Sequence, residues 1–239
     1  MAIVENTVVY MDEDTVLEAF FAFDDSVSAR RPAVLISHAW GGRDGFVADK
    51  ARKLAGLGYV GFALDMYGKG ILGADKEENA TLMQPFMADR EKLQKRIKTA
   101  LNAVSLLPWV DDKKIAAMGF CFGGLCVLDL ARTGVDIKGV VSFHGLLGAP
   151  DNTQGNKIKA KVLALHGRDD PMGLPEQVLA FQEEMTQAGA DWQFVSYGHT
   201  VHAFTNSVAN NPDFGTVYQA DADRRSWQAM QNFFAEIFA

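Results

Sequence analysis

Short apolar runs alternate with helix-patterned stretches along almost the whole chain. That alternation restricts the possible folds more than any other feature of the sequence. AVLISHA (33–39) precedes FVADKARKLAGLG (46–58), whose apolar residues recur at helical spacing until Gly58 stops them. YVGFALDM (59–66) reads as the next strand, followed by a polar loop over 68–81. QPFMADREKLQKRIKTALNAVSLL (84–107) predicts one long helix ending before Pro108. KIAAMGF (114–120) reads as a strand running directly into a helix that includes LCVLDLART (125–133). IKGVVSFHG (137–145), AKVLALHG (160–167) and DWQFVSYG (191–198) predict three more strands. PEQVLAFQEEMTQAG (175–189) and DRRSWQAMQNFFAEIF (223–238) predict helices, and APDNTQGNKIK a polar loop. At the start, VVYM and VLEAFFAF predict a hairpin. Strands separated by helices need crossover connections, which build a parallel sheet covered on both faces. The expected class is therefore α/β, a single mostly parallel sheet with helices on both faces, with 1–239 as one domain. The 239 residues, 48% of them hydrophobic, suffice for one sizeable core.

In open α/β sheets, ligands bind beyond the carboxyl ends of the strands. The segments in that place are HAWGG, DMYGKG, CFGG, FHG, HGRDDP and HTVHAF. Of these, GFCFGG (119–124) is chemically the most specific. Strand, Gly-x-Cys-x-Gly, then helix is the nucleophile-elbow pattern with cysteine in the place of serine. The turn is tight and its central residue strained, so Gly119 and Gly123 remove side chains that would clash. The Cys121 thiol then points at a helix N-terminus, where unpaired N–H groups and the helix dipole favour an anion. Taken alone the pattern is weak, because glycine turns are common and cysteine packs as a small hydrophobe. Cys126, without a glycine frame, reads as core.

An elbow nucleophile needs an acid and then a histidine later in the chain. LALHGRDDPM (163–172) ends a strand with Asp169 and Asp170, and HTVHAF (199–204) follows the last strand with His199 and His202. A histidine takes and returns the thiol proton, and the acid orients its ring. Each residue alone has a bland reading, as a helix cap or an ordinary loop histidine. All three at strand ends in the expected order point to one catalytic set.

With these motifs the chain resembles the dienelactone hydrolase family of the α/β-hydrolase superfamily. The features that carry the resemblance are GFCFGG, LALHGRDDPM, HAF, HAWGG and DMYGKG. The resemblance implies an α/β-hydrolase fold and hydrolysis of small esters or lactones. It also implies a catalytic triad of Cys121, Asp170 and His202, with Asp169 and His199 as understudies. The oxyanion donors expected beside it are the N–H groups of Phe122 and Trp40. Tyr67, Lys69, Phe143 and Phe204 are expected to bind substrate. The chain also departs from the family pattern. Ala39 stands where characterised members have a thiol-activating glutamate. Asn206 and Lys69 stand where they have arginines for a substrate carboxylate, and lysine lacks the bidentate fork.

The remaining expectations are mostly negative. A net charge of −7 argues against nucleic acid and anionic membranes. The first residues lack a basic region and a long apolar core, so no signal peptide is expected, and no apolar stretch is long enough to span a bilayer. With two cysteines in one predicted helical segment, no disulfide and a cytoplasmic setting are expected. His144 and His166 also end strands, but their spacing does not match a metal site, and no nucleotide fingerprint occurs, so no metal and no cofactor are expected. The expected partner is a small-molecule ester or lactone, and the expected state a monomer or small homo-oligomer. The alternative is a non-hydrolytic protein of the same fold that binds a small carbonyl ligand.

Overall fold

The computed structural model describes residues 2–26 and 28–239. Eight strands form one mostly parallel sheet. The chain divides into two compact units, Met1–Met118 and Gly119–Ala239.

In the first unit, β1 (Ile3–Asp12) and β2 (Thr15–Asp24) form the expected antiparallel hairpin. β3 (Arg31–Ser37) leads through α1 (Gly45–Gly56) to β4 (Val60–Ala63), which runs parallel to β3. The order within this unit is β1-β2-β4-β3. α1 packs on β2, β3 and β4. The contact with β4 is close, since a Cβ at Gly61 would fall 2.4 Å from the Ala51 carbonyl oxygen.

The single long helix expected over 84–107 is two helices, α2 (Lys76–Ala88) and α3 (Arg90–Ser105). The first begins inside the expected polar loop. Asp75 caps α2, its carboxylate accepting from the N–H groups of Glu77 and Glu78 at 2.9 Å, with both glutamates favourable in the first turn. Asp89 leaves the helical conformation (φ −126°, ψ 93°) and caps α3 through the Lys92 N–H. A capping residue in the middle of a periodic pattern therefore divided it. β5 (Val110–Phe120) then runs up to the elbow, starting four residues before the expected strand.

In the second unit, α4 (Phe122–Arg132) follows the elbow, then β6 (Gly139–Phe143), β7 (Lys161–Gly167), α5 (Pro175–Gln187) and β8 (Trp192–Tyr197). β6, β7 and β8 are parallel neighbours in that order. A short hairpin, β9 (Asn210–Asn211) and β10 (Thr216–Val217), precedes the closing α6 (Ala220–Ile237). A Cβ at Gly139 would meet Phe233 and Ile237 of α6, whereas Ser142 abuts Gly124 of α4. These positions are three apart on one strand and so point to opposite faces. Helices thus cover both faces of β6.

Every residue of α4 is buried. Its last residue, Arg132, is a buried hub. The guanidinium donates to Asp129 Oδ1 (3.1 Å), to both Glu184 carboxylate oxygens (2.8 and 2.7 Å) and to the carbonyls of Leu147 (2.7 Å) and Gly148 (3.3 Å). A cation at a helix C-terminus also faces the negative end of the dipole. This network fixes the far end of the helix that carries Cys121 at its start. No helix among the described residues is long and apolar enough to cross a membrane.

Candidate active site

Cys121 sits between β5 and α4 with φ 55° and ψ −116°, a conformation costly for any residue with a Cβ. Its N–H donates to the Phe143 carbonyl at 3.1 Å, and its own carbonyl accepts from Gly124 at 3.0 Å. Both ends of the peptide are thus held while the side chain stays out of helix capping. A Cβ at Gly119 would lie 2.0 Å from the Gly123 carbonyl oxygen, which is why the turn needs glycine there. Phe122 takes the first helical position, and its side chain is buried.

Asp170 lies in the turn after β7 and His202 in the loop after β8. The His202 Nδ1–H donates to Asp170 Oδ2 at 2.8 Å, and both residues are buried. The other Asp170 oxygen accepts from the Met172 N–H at 2.8 Å. Binding Asp170 through Nδ1 leaves Nε2 as the basic nitrogen of the neutral ring. Nε2 is buried, and the charge and hydrogen bonding of Cys121 act on the ring. Burial works against the imidazolium. The charge of Cys121 and the hydrogen bond and charge of Asp170 outweigh it and raise the pKa of His202 to about 10.

The understudies lie elsewhere. Asp169 and His199 are exposed, and the Asp169 N–H bonds the Thr200 carbonyl at 2.9 Å, tying the acid turn to the histidine loop. His144 and His166 support this region. His144 packs edge-on against His202, ring centroids 5.0 Å apart, and its Nε2 hydrogen-bonds Thr205 Oγ1 at 2.8 Å. His166 donates from Nε2 to the Gly173 carbonyl at 3.0 Å, closing the turn that holds Asp170, and burial lowers its pKa. Phe143 and Phe204 are fully buried. Phe143 stacks on Phe120 at 4.8 Å, and Phe204 lies edge-on to His144 at 5.0 Å. Asn206 shapes its own turn, accepting from the Val208 N–H at 3.2 Å.

The other expected residues belong to the first unit. The Trp40 carbonyl accepts from the Tyr67 hydroxyl at 2.9 Å. The Lys69 ammonium pairs with Glu18 at 2.9 Å, and Arg43 holds the same carboxylate. Ala39 contributes its carbonyl, which accepts from His38 Nδ1 at 2.6 Å.

The sequence reading missed the hairpin next to His202. The His202 N–H donates to the Gly215 carbonyl at 3.0 Å, and the Val217 N–H donates to the His202 carbonyl at 3.1 Å. Two-residue strands have no periodicity to read. Gly215 was the one visible signal.

Residues 17–238 match the dienelactone hydrolase family. Uncharacterized protein K02A2.1 of Caenorhabditis elegans is 41% identical over 155 residues, which span 62% of this chain and 96% of that protein. The crystal structure of the dienelactone hydrolase-like promiscuous phosphotriesterase P91, from metagenomic libraries, is 36% identical. It superposes with a TM-score of 0.95 over 100% of both chains. Dienelactone hydrolase from Anabaena variabilis, at 19% identity, shares the fold with a TM-score of 0.72 over 99% of each chain. The family match over nearly the whole chain and the shared fold lead to one conclusion: this chain belongs to the dienelactone hydrolase family and has the α/β-hydrolase fold.

Proposed function

We propose that the protein hydrolyses small carboxylic esters or lactones through a thioacyl enzyme formed on Cys121. The observation that carries this reading is the buried Asp170–His202 pair, whose second ring nitrogen is left to the Cys121 thiol. The sulfur attacks the ester carbonyl carbon, forming a C–S bond as the carbonyl electron pair moves onto oxygen. The Phe122 N–H, first in α4, stabilises that oxyanion. Collapse expels the alcohol, which takes its proton from His202. Water then loses a proton to His202 and attacks the thioester. A second collapse releases the carboxylic acid and returns the thiolate.

A panel of small aryl esters and enol-lactones, run on wild type and on Cys121→Ala, tests the proposal. The variant should lose about 10³-fold or more in kcat. Full activity of Cys121→Ala on every cleaved ester would overturn it. A second reading rests on the 36% identity to the phosphotriesterase P91. The same thiol would attack phosphorus and displace an aryloxide. Comparing kcat/KM for an aryl ester and an aryl dialkyl phosphate decides which substrate class the site prefers.

A further inference from the structure

We propose that the short β9–β10 hairpin is a clasp that holds Asp170 and His202 at their working separation, with Gly215 and Pro171 as its positioning residues. The inference rests on the triad reading above.

The clasp grips the histidine through its backbone. Gly215 and Val217 bond the two sides of the His202 peptide unit, at 3.0 and 3.1 Å, and Thr216 bridges His202 in parallel register. Two further bonds close the hairpin onto the same loop, from the Tyr218 N–H to Ala209 (2.9 Å) and from the Gln219 N–H to Phe204 (3.1 Å). The clasp also touches the acid. Gly215 adopts φ 71°, in the left-handed region that favours glycine. A Cβ on Gly215 would fall 2.2 Å from Pro171 Cγ and 2.8 Å from Cδ. Pro171 directly follows Asp170, and its ring cannot swing aside as a flexible side chain would. One residue of the clasp thus bonds the histidine backbone and abuts the residue next to the acid. The gap between Gly215 and Pro171 sets how closely the two loops approach, and with it the 2.8 Å hydrogen bond between Nδ1 and Oδ2. The Ala203 backbone, also at positive φ, adds strain next to His202 that needs such restraint.

Adding a methyl group at position 215 should push the acid turn away and misalign the ring. Small displacements of this kind can lower turnover by as much as about 10²-fold. The test compares wild type, Gly215→Ala, Pro171→Gly and the double variant by ester kinetics and by the proton NMR signal of the His202 Nδ1–H. Gly215→Ala should lower kcat about 10- to 100-fold with KM changed by less than about twofold, and should shift or broaden that signal. Pro171→Gly in the same background should restore part of both, because it removes the clash. A folded Gly215→Ala enzyme with wild-type kcat and an unmoved signal overturns the clasp. If Gly215→Ala does not fold, Pro171→Gly alone should weaken the signal and lower kcat, and no change in either overturns the proposal. His202→Gln separates the two claims. If it keeps full activity while Gly215→Ala still moves the proton signal, the triad reading fails and the clasp stands.

Discussion

The Asp170 carboxylate and the His202 imidazole meet at 2.8 Å with both side chains buried, and Asp170 spends its second oxygen on the Met172 N–H. The acid is thereby fixed in position before it touches the ring. It selects the tautomer that leaves Nε2 to Cys121, and its charge supports the imidazolium.

Asp170→Asn should keep the shape of this contact while losing the charge and the tautomer preference. The expected result is a fall in kcat of about 10³- to 10⁴-fold with KM little altered. Steady-state ester hydrolysis measures it. A loss smaller than about tenfold would remove Asp170 from the mechanism.

Cys121 should alkylate with iodoacetamide at neutral pH faster than a free cysteine, whose pKa is about 8.5. His202 supplies the positive charge that a thiolate needs, and the helix N-terminus adds its dipole. Mass spectrometry should find one adduct, on Cys121, because Cys126 is fully buried. His202→Gln should slow the labelling about tenfold or more. Equal rates in both proteins would mean that the ring does not activate the thiol.

Stability should depend on pH through the same ring. Folded His202 keeps its proton up to about pH 10, whereas an unfolded histidine releases it near 6.5. The ring holds that proton chiefly through the ionised Cys121 sulfur, so the folded pair carries a net extra proton only above about 8.5, where an unfolded thiol ionises. The stabilising contribution of the pairing is therefore lost as pH rises from about 8.5 through about 10. In thermal melts across that range, the advantage of wild type over His202→Gln should shrink with pH. An advantage independent of pH would contradict the pairing.

Arg132→Met should destabilise the protein by about 3–5 kcal/mol, because it removes a buried guanidinium that bonds Asp129, Glu184 and the Leu147 and Gly148 carbonyls. The exposed pair Arg224–Asp221 provides the contrast, and Arg224→Met should cost less than about 1 kcal/mol. Urea denaturation of both variants checks the difference. Similar values for the two would show that the hub under α4 contributes little.

The strand and helix order, the opening hairpin and the elbow at Gly119–Gly123 were legible in the sequence. Local patterns encode them: helical and strand periodicity, and glycines that a strained turn demands. Asp170 and His202 were also legible, because motif order along the chain stands in for position at strand ends. Their contact itself was not, since it closes between residues 32 apart. Local chemistry overrode periodicity at Asp89, where a side-chain cap divided one amphipathic pattern into two helices. The pairing of Lys69 with Glu18 of β2 had no local pattern either, because the two residues lie 51 positions apart and meet only on folding. The clasp had no pattern to read. Its strands are two residues long, and the meaning of Gly215 depends on Pro171, 44 positions earlier. Sequence by itself determined the order of the elements and which residues are candidates for the chemistry, because residue type and local conformation are properties of short segments. Only the tertiary structure decided how those residues are held, because hydrogen bonds and steric contacts between distant segments exist only once the chain has folded.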